Sequence, residues 1–252
     1  MKLKVLQVVL LSCVLIVSRF ANAGLIVMGD VNIISSSNVI SQSGNQSLFS
    51  NILGGDTQVL FNTRNTPDRS FPYSTNLRTY YDGIAGVNTS STGSSITSAL
   101  ISTYGLLVLD FGFGDSPPPL STQEAAAVLS FINAGNNVLF FGENLASAGV
   151  ANYNNILNSI GSSIRFADAK TPGGFEISTE VAPHHLTSGV SSLNFGWASY
   201  VTGGTALVKY DGRSIVASEG SFENIAASVP EPSTLAIFAL GLIGLAIRRF
   251  KV

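Results

Sequence analysis

Five polar residues stand directly after apolar runs in this sequence. Asp30 follows Gly24-Leu-Ile-Val-Met-Gly29. Asp110, with Asp115 a few residues on, follows Gly105-Leu-Leu-Val-Leu. Glu143 and Asn144 follow Asn137-Val-Leu-Phe-Phe-Gly142. If the runs are strands, these groups gather at the carboxyl edge of one sheet, where open α/β sheets bind ligands. Carboxylates joined there by His184 or His185 have the chemistry to hold a metal or a sugar, or to act as acid and base. Asp110, Glu143 and His184 are therefore the candidate catalytic residues. The plainer role is equally open: an acid at a strand exit caps the next helix or accepts loop amides. Adjacent histidines on a strand face opposite sides and can share an ion only in a loop. Tyr73, Tyr80, Tyr81, Trp197 and Tyr200, read as exposed, offer faces for stacking on sugar rings or serve as packing.

Several chemistries are missing from the sequence. The single cysteine, Cys13, lies in the N-terminal apolar run, so a chain cleaved after it has no disulfide, thiolate nucleophile or cysteine metal site. No G-x-S-x-G turn and no G-x-x-x-x-G-K-[ST] loop occurs, and Gly112-Phe-Gly114 is too short for a dinucleotide fingerprint. No cofactor and no metal is expected.

The elements that would position the acids are legible from their periodicity. Residues 24–29, 105–110 and 137–141 are apolar runs, the pattern of strands covered on both faces, and 57–61 reads as a further strand. Helices are expected over 45–53, stopped by Gly54-Gly55, and over 96–102 and 152–160. Another follows the capping box Ser121-Thr-Gln-Glu124 and runs to Ile132 before Gly135. Residues 62–95 are polar and broken by Pro and Gly, and read as a long excursion that can hold a short hairpin. Later strands are expected over 175–181, 205–210 and 214–218, the last two joined by an Asp211-Gly212 hairpin turn. Strands alternating with helices make a mostly parallel α/β sheet in three layers, followed here by a β-rich part.

Both ends read as targeting segments. Residues 1–23 form a signal peptide: Lys2 and Lys4, then an apolar run from Val5 to Val17, then Ala21-Asn-Ala23, with Gly24 the first mature residue. Residues 229–252 combine Val229-Pro-Glu-Pro-Ser233, the apolar stretch Leu235–Ile247, and Arg248-Arg-Phe-Lys251. The prolines make a stiff spacer, the apolar stretch enters lipid as a transmembrane helix over 234–247, and the arginines hold the cytoplasmic side. Residues 233–247 reach only about 22 Å as a helix against a core of about 30 Å, a short span suited to a temporary anchor. Residues 24–228 are left as one α/β domain. The domain carries seven basic and fourteen acidic residues, a balance that excludes a nucleic-acid footprint.

The tail, V-P-E-P-S-T followed by a short hydrophobic segment and R-R, is similar to the PEP-CTERM sorting signal. That resemblance implies recognition by an exosortase, with Pro230, Glu231 and Pro232 as the sorting motif and Arg248 and Arg249 as the stop signal. It further implies a Gram-negative host with an exopolysaccharide or biofilm locus, signal peptidase and exosortase as partners, and passage through the inner membrane to the surface or beyond. The middle resembles the class I glutamine-amidotransferase-like, flavodoxin-like fold. The carrying residues are "LLVLD" at 106–110, "LSTQEAAAVLSFINAGNNVLFFGEN" at 120–144 and "HHLTSGV" at 184–190. Those amidotransferases place a nucleophilic cysteine at the turn where this chain has Phe141-Gly-Glu-Asn144, so glutaminase chemistry is not expected. Two readings stand. One is a non-enzymatic surface or extracellular protein of the exopolysaccharide matrix. The other is a secreted hydrolase or carbohydrate-binding module using the strand-end acids.

Overall fold

The computed structural model describes residues 24–63, 73–111 and 116–220. In chain order the strands are β1 (Gly24–Met28), β2 (Gln58–Asn62), β3 (Asn88–Thr92), β4 (Leu106–Leu109), β5 (Asn137–Phe141) and β6 (Arg165–Lys170). They continue with β7 (Phe175–Ser178), β8 (Glu180–Val181), β9 (Leu193–Gly196), β10 (Ser199–Thr202), β11 (Thr205–Tyr210) and β12 (Arg213–Gly220). The helices are α1 (Asn32–Ser35), α2 (Ser37–Ile40), α3 (Ser43–Leu53), α4 (Thr75–Asp82), α5 (Ser98–Ile101), α6 (Thr122–Asn133) and α7 (Ser147–Ser159).

One eight-stranded sheet organises the domain in the order β3-β2-β4-β5-β1-β12-β11-β8. The first five in that order are mutually parallel, and β12, β11 and β8 continue antiparallel. Counted from β2, the parallel strands follow the order 2-1-3-4-5 of a doubly wound sheet, with β1 filling the fifth place. The first strand among the described residues thus joins the two halves of the sheet.

The apolar strand runs split by period two between two cores, as strands covered on both faces must. Ile26, Met28, Val59, Phe61, Val108, Leu139 and Phe141 face a layer that holds α1 to α4 and β9. Leu25, Val27, Leu60, Leu107, Leu109, Val138 and Phe140 face α5, α6 and α7. Each such side chain contributes about 1.5–3 kcal/mol by leaving water. The expected α/β architecture with a mostly parallel central sheet and a β-rich part is what the chain forms.

Local chemistry sets the boundaries. Ser121 Oγ accepts from the Glu124 N–H at 3.3 Å while Glu124 Oε2 accepts from the Ser121 N–H at 2.9 Å, the reciprocal box expected from the sequence. Gly54, at φ 60°, ends α3 in the left-handed region that a side chain disfavours. Asp211 and Gly212, at φ 52° and 72°, make the turn between β11 and β12.

Several segments differ from what the sequence leads one to expect. Among its described residues the polar stretch 62–95 contains α4 and β3, and no hairpin. β3 reads Asn-Thr-Ser-Ser-Thr because it is an edge strand with half-exposed residues, so no apolar signal marks it. Helix α7 begins at Ser147, five residues earlier than expected, because Ala146 caps it without a side-chain hydrogen bond. Strands β6, β9 and β10, which the sequence reading did not find, form two antiparallel ribbons, β6 with β10 and β7 with β9.

Candidate functional site: a sealed acid pair beneath an open aromatic cleft

Met28 pairs with Phe141 in the parallel register of β1 and β5. Each is followed by a glycine and then an acid, so Asp30 and Glu143 leave the sheet side by side. Sequence reasoning placed both at the carboxyl edge, and the structure brings these two together. A Cβ on Gly29 would collide with the Ser199 carbonyl, and one on Gly142 with the Phe166 ring, which is why glycine precedes each acid.

Both carboxyls are buried, Asp30 with 1% and Glu143 with 3% of its surface exposed. They are held from three sides. Asp30 Oδ1 accepts from the Asn32 N–H at 2.6 Å, and Oδ2 accepts from the Gly196 N–H at 2.6 Å. Glu143 Oε2 accepts from the Val31 N–H at 3.2 Å. The Asn32 amide bridges the pair to β9: its Nδ2 donates to Glu143 Oε1 at 3.1 Å and to the Gly196 carbonyl at 3.1 Å. Burial pushes Asp30 up from 3.8 to about 7, against the pull of its backbone donors. Burial and then the neighbouring Asp30 charge push Glu143 from 4.5 to about 8. Near neutrality the pair therefore retains protons that exposed carboxyls would have released.

The other sequence candidates sit elsewhere. Asp110 leaves β4 beside the end of β2, where its N–H donates to the Asn62 carbonyl and its Oδ2 accepts from the Ser74 N–H at 2.9 Å. This is the point where the chain turns left from β2 and right from β4, the switch position of a doubly wound sheet. His184 accepts from the Leu186 N–H at 3.1 Å and starts the 3₁₀ turn His185–Thr187. That turn is tied to α3 by Asn51, whose Nδ2 donates to the carbonyls of Leu186 and Ser188. The two imidazoles lie tilted at 36° to each other with centroids 4.3 Å apart, and burial followed by the His184 charge lowers His185 to about 4. Among the described residues no group of three or more His, Cys, Asp and Glu side chains is placed to hold a metal ion. Asp115 lies outside the described residues. So do Ala21, Ala23, Pro230, Glu231, Pro232, Arg248, Arg249 and the apolar stretch 234–247. Among the described residues no helix is long and apolar enough to cross a membrane.

The aromatic candidates divide sharply. Tyr81 is fully buried, with its hydroxyl donating to the Phe49 carbonyl at 3.1 Å. Tyr200 is buried beneath the Arg213 guanidinium, 3.8 Å from its ring centroid. Tyr80 is tied to α3 through the Gln46 carbonyl. These three serve packing rather than an exposed face. Trp197 alone of the five is a large exposed hydrophobic, 38% open. It sits against Phe175 (59% open), and Ile177 (60% open) lies two residues further along the same strand; the sequence marks neither of them. In the β7–β9 ribbon Phe175 stands opposite Gly196 and Ile177 opposite Asn194, so these residues share one face. The alternation of Phe175-Glu-Ile-Ser178 carried the signal, but it left open which face meets solvent. Beside this face lies a cleft of about 300 Å³, lined by Ser36, Asn38, Phe175, Glu176, Ile177 and Asn194 among others.

Comparison with known proteins bears on the tail. Residues 228–249 match the family model described as the PEP-CTERM protein-sorting motif. Comparison of the chain with curated proteins finds no match. The chain carries a PEP-CTERM sorting motif at its C-terminal end, and with it the mark of an exported protein sorted by an exosortase.

Proposed function

We propose that this chain is a non-catalytic surface or extracellular protein associated with an exopolysaccharide matrix. In this reading residues 1–23 are removed by signal peptidase, 24–228 form the working domain, and 229–252 anchor it transiently in the inner membrane until exosortase acts. The domain is an amidotransferase-like α/β fold without that family's cysteine. The observation that carries the non-catalytic reading is the closure of the acid pair. Asp30 and Glu143 are almost wholly buried and engaged by Asn32, Val31 and Gly196, which leaves no face for a substrate. The hydrolase reading draws on the same two acids, since raised carboxyls suit a general acid. It requires a loop movement that uncovers them.

Mass spectrometry of the protein recovered from cells tests the address. The expected product begins at Gly24 and lacks the residues beyond the Pro230-Glu-Pro232 motif. A full-length cytosolic chain retaining Met1 and Val252 would overturn it. Glu143→Gln tests the chemistry: matrix association is expected to persist, and its loss in a folded variant would support the hydrolase.

A further inference from the structure

We propose that the Phe175–Trp197 face and the adjoining cleft form a binding site for an uncharged polysaccharide. Four observations converge on it. Phe175, Ile177 and Trp197 are three of the four large hydrophobics exposed among the described residues, and they lie together. The Phe175 and Trp197 rings meet edge to face, with centroids 5.3 Å apart. Such a corner matches the apolar C–H face of a pyranose, which an alkyl side chain cannot meet with a flat polarised surface. The cleft adds Asn38, Asn194 and Ser36, short neutral donors and acceptors suited to sugar hydroxyls. Its only ionisable lining residue is Glu176, with no Lys or Arg, so a polyanionic chain finds repulsion and no partner. At about 300 Å³ it has the size of one or two sugar rings and lies at the lower end of ligand clefts.

The fourth observation is strain. Trp197 is held at φ 49°, a region that a bulky side chain rarely enters. The structure imposes it from below: Asp30 accepts from the Gly196 N–H, Asn32 donates to the Gly196 carbonyl, and the Trp197 N–H donates to the Gly174 carbonyl at 3.3 Å. Glycines clear the space for the rings. A Cβ on Gly173 would stand 3.0 Å from the indole Nε1, and one on Gly196 would stand 2.9 Å from the Phe175 ring. Packing alone does not require holding an exposed indole in a strained backbone, whereas a rigid stacking platform does. Asp30 and Asn32 are positioning residues for that platform.

This inference rests on the surface address proposed above. Trp197 is the only tryptophan of the chain, so its fluorescence reports this face and nothing else. The full chain, held in a detergent without a sugar headgroup, is titrated with neutral hexasaccharides of glucose, galactose and mannose, and with alginate as the polyanion. A saturable change in emission is expected with at least one neutral hexasaccharide and none with alginate. Phe175→Ala is expected to weaken binding about tenfold by fluorescence, and Trp197→Ala to abolish it by calorimetry. Leu129→Ala, an exposed site on α6, is expected to bind as the native chain does. Circular dichroism confirms that each variant is folded. The inference is overturned if no neutral sugar moves the emission, if alginate binds as well, or if folded Phe175→Ala and Trp197→Ala retain native affinity. It is overturned equally if Trp197→Ala changes only self-association, which would make the face a contact between copies. A chain processed and found at the surface that binds no sugar defeats this inference alone. Sugar binding by a chain that stays in the cytosol defeats only the address.

Discussion

Replacing Glu143 with Gln removes one of two adjacent buried charges while keeping the side chain's shape. In the native chain both carboxyls titrate higher than they would unfolded, Asp30 at about 7 against 3.8 and Glu143 at about 8 against 4.5. Between about pH 4 and pH 8 the folded chain therefore binds more protons than the unfolded chain. The sign follows: stability declines as pH rises through this window and is lowest above pH 8. Raising Glu143 from 4.5 to about 8 corresponds to roughly 5 kcal/mol. Part of that is repulsion from Asp30, so the two shifts do not sum. Gln keeps one oxygen for the Val31 N–H but turns an NH2 toward Asn32 Nδ2, a loss of about 1 kcal/mol at any pH. Glu143→Gln should thus be about as stable as the native chain at pH 5, where the unfolded carboxyl has already released most of its proton, and about 2–4 kcal/mol more stable at pH 9, or roughly 4–16 °C in Tm. Urea unfolding of the full chain in non-ionic detergent at pH 5, 7 and 9 measures this. The difference between the two chains cancels His185, which titrates alike in both. A difference that stays constant across the range, or that runs the other way, would refute the assignment of raised carboxyls.

Three further outcomes follow from particular contacts. Glu124→Ala removes the acceptor for Ser121 and for the Ile96 N–H, which donates to Oε1 at 3.0 Å; it should cost about 2–4 kcal/mol by thermal melting, and a change under 1 kcal/mol would show that the box contributes little. Gly29→Ala drives a methyl into the Ser199 carbonyl and should leave the protein insoluble or at least about 3 kcal/mol less stable in thermal melting, against a smaller cost of about 1–2 kcal/mol for Gly55→Ala, where open space surrounds the Cβ and only the left-handed φ of 86° resists. His185, lowered to about 4 from 6.5, should remain neutral at pH 5 by its NMR ring shifts; its contribution is complete above pH 6.5 and is lost as pH falls toward 4, and a midpoint near 6.5 would contradict the burial.

The elements with unambiguous periodicity were readable from the residues, for physical reasons that single positions make plain. A strand buried on both faces must be apolar throughout, so β1, β4 and β5 announce themselves, and Ser121 with Glu124 fixes the start of α6. β3 carries five polar residues because an edge strand needs backbone pairing more than burial, and its composition mimics a loop. The acid pair was half legible. The glycine-acid exits placed Asp30 and Glu143 at the sheet edge, but their adjacency depends on β1 pairing with β5 across more than a hundred residues. Asn32, which joins them, carries no mark in the sequence. For the same reason nothing distinguished Trp197 from Tyr81 and Tyr200: what makes it open is a ribbon whose second strand, β9, follows the first by fifteen residues.

The placement of β1 bears on how the protein can be moved. Its two neighbours are β5 and β12, and the latter ends at Gly220, the last described residue. In a chain emerging from a ribosome or a translocon, Gly24–Met28 appears before the rest of the domain, yet the seat between those neighbours does not exist until almost two hundred residues later. Completion of the sheet must await the far end of the domain, a topology of high contact order that folds late. A polypeptide built this way stays threadable while it is being passed through a narrow channel, and locks only after its whole body has crossed.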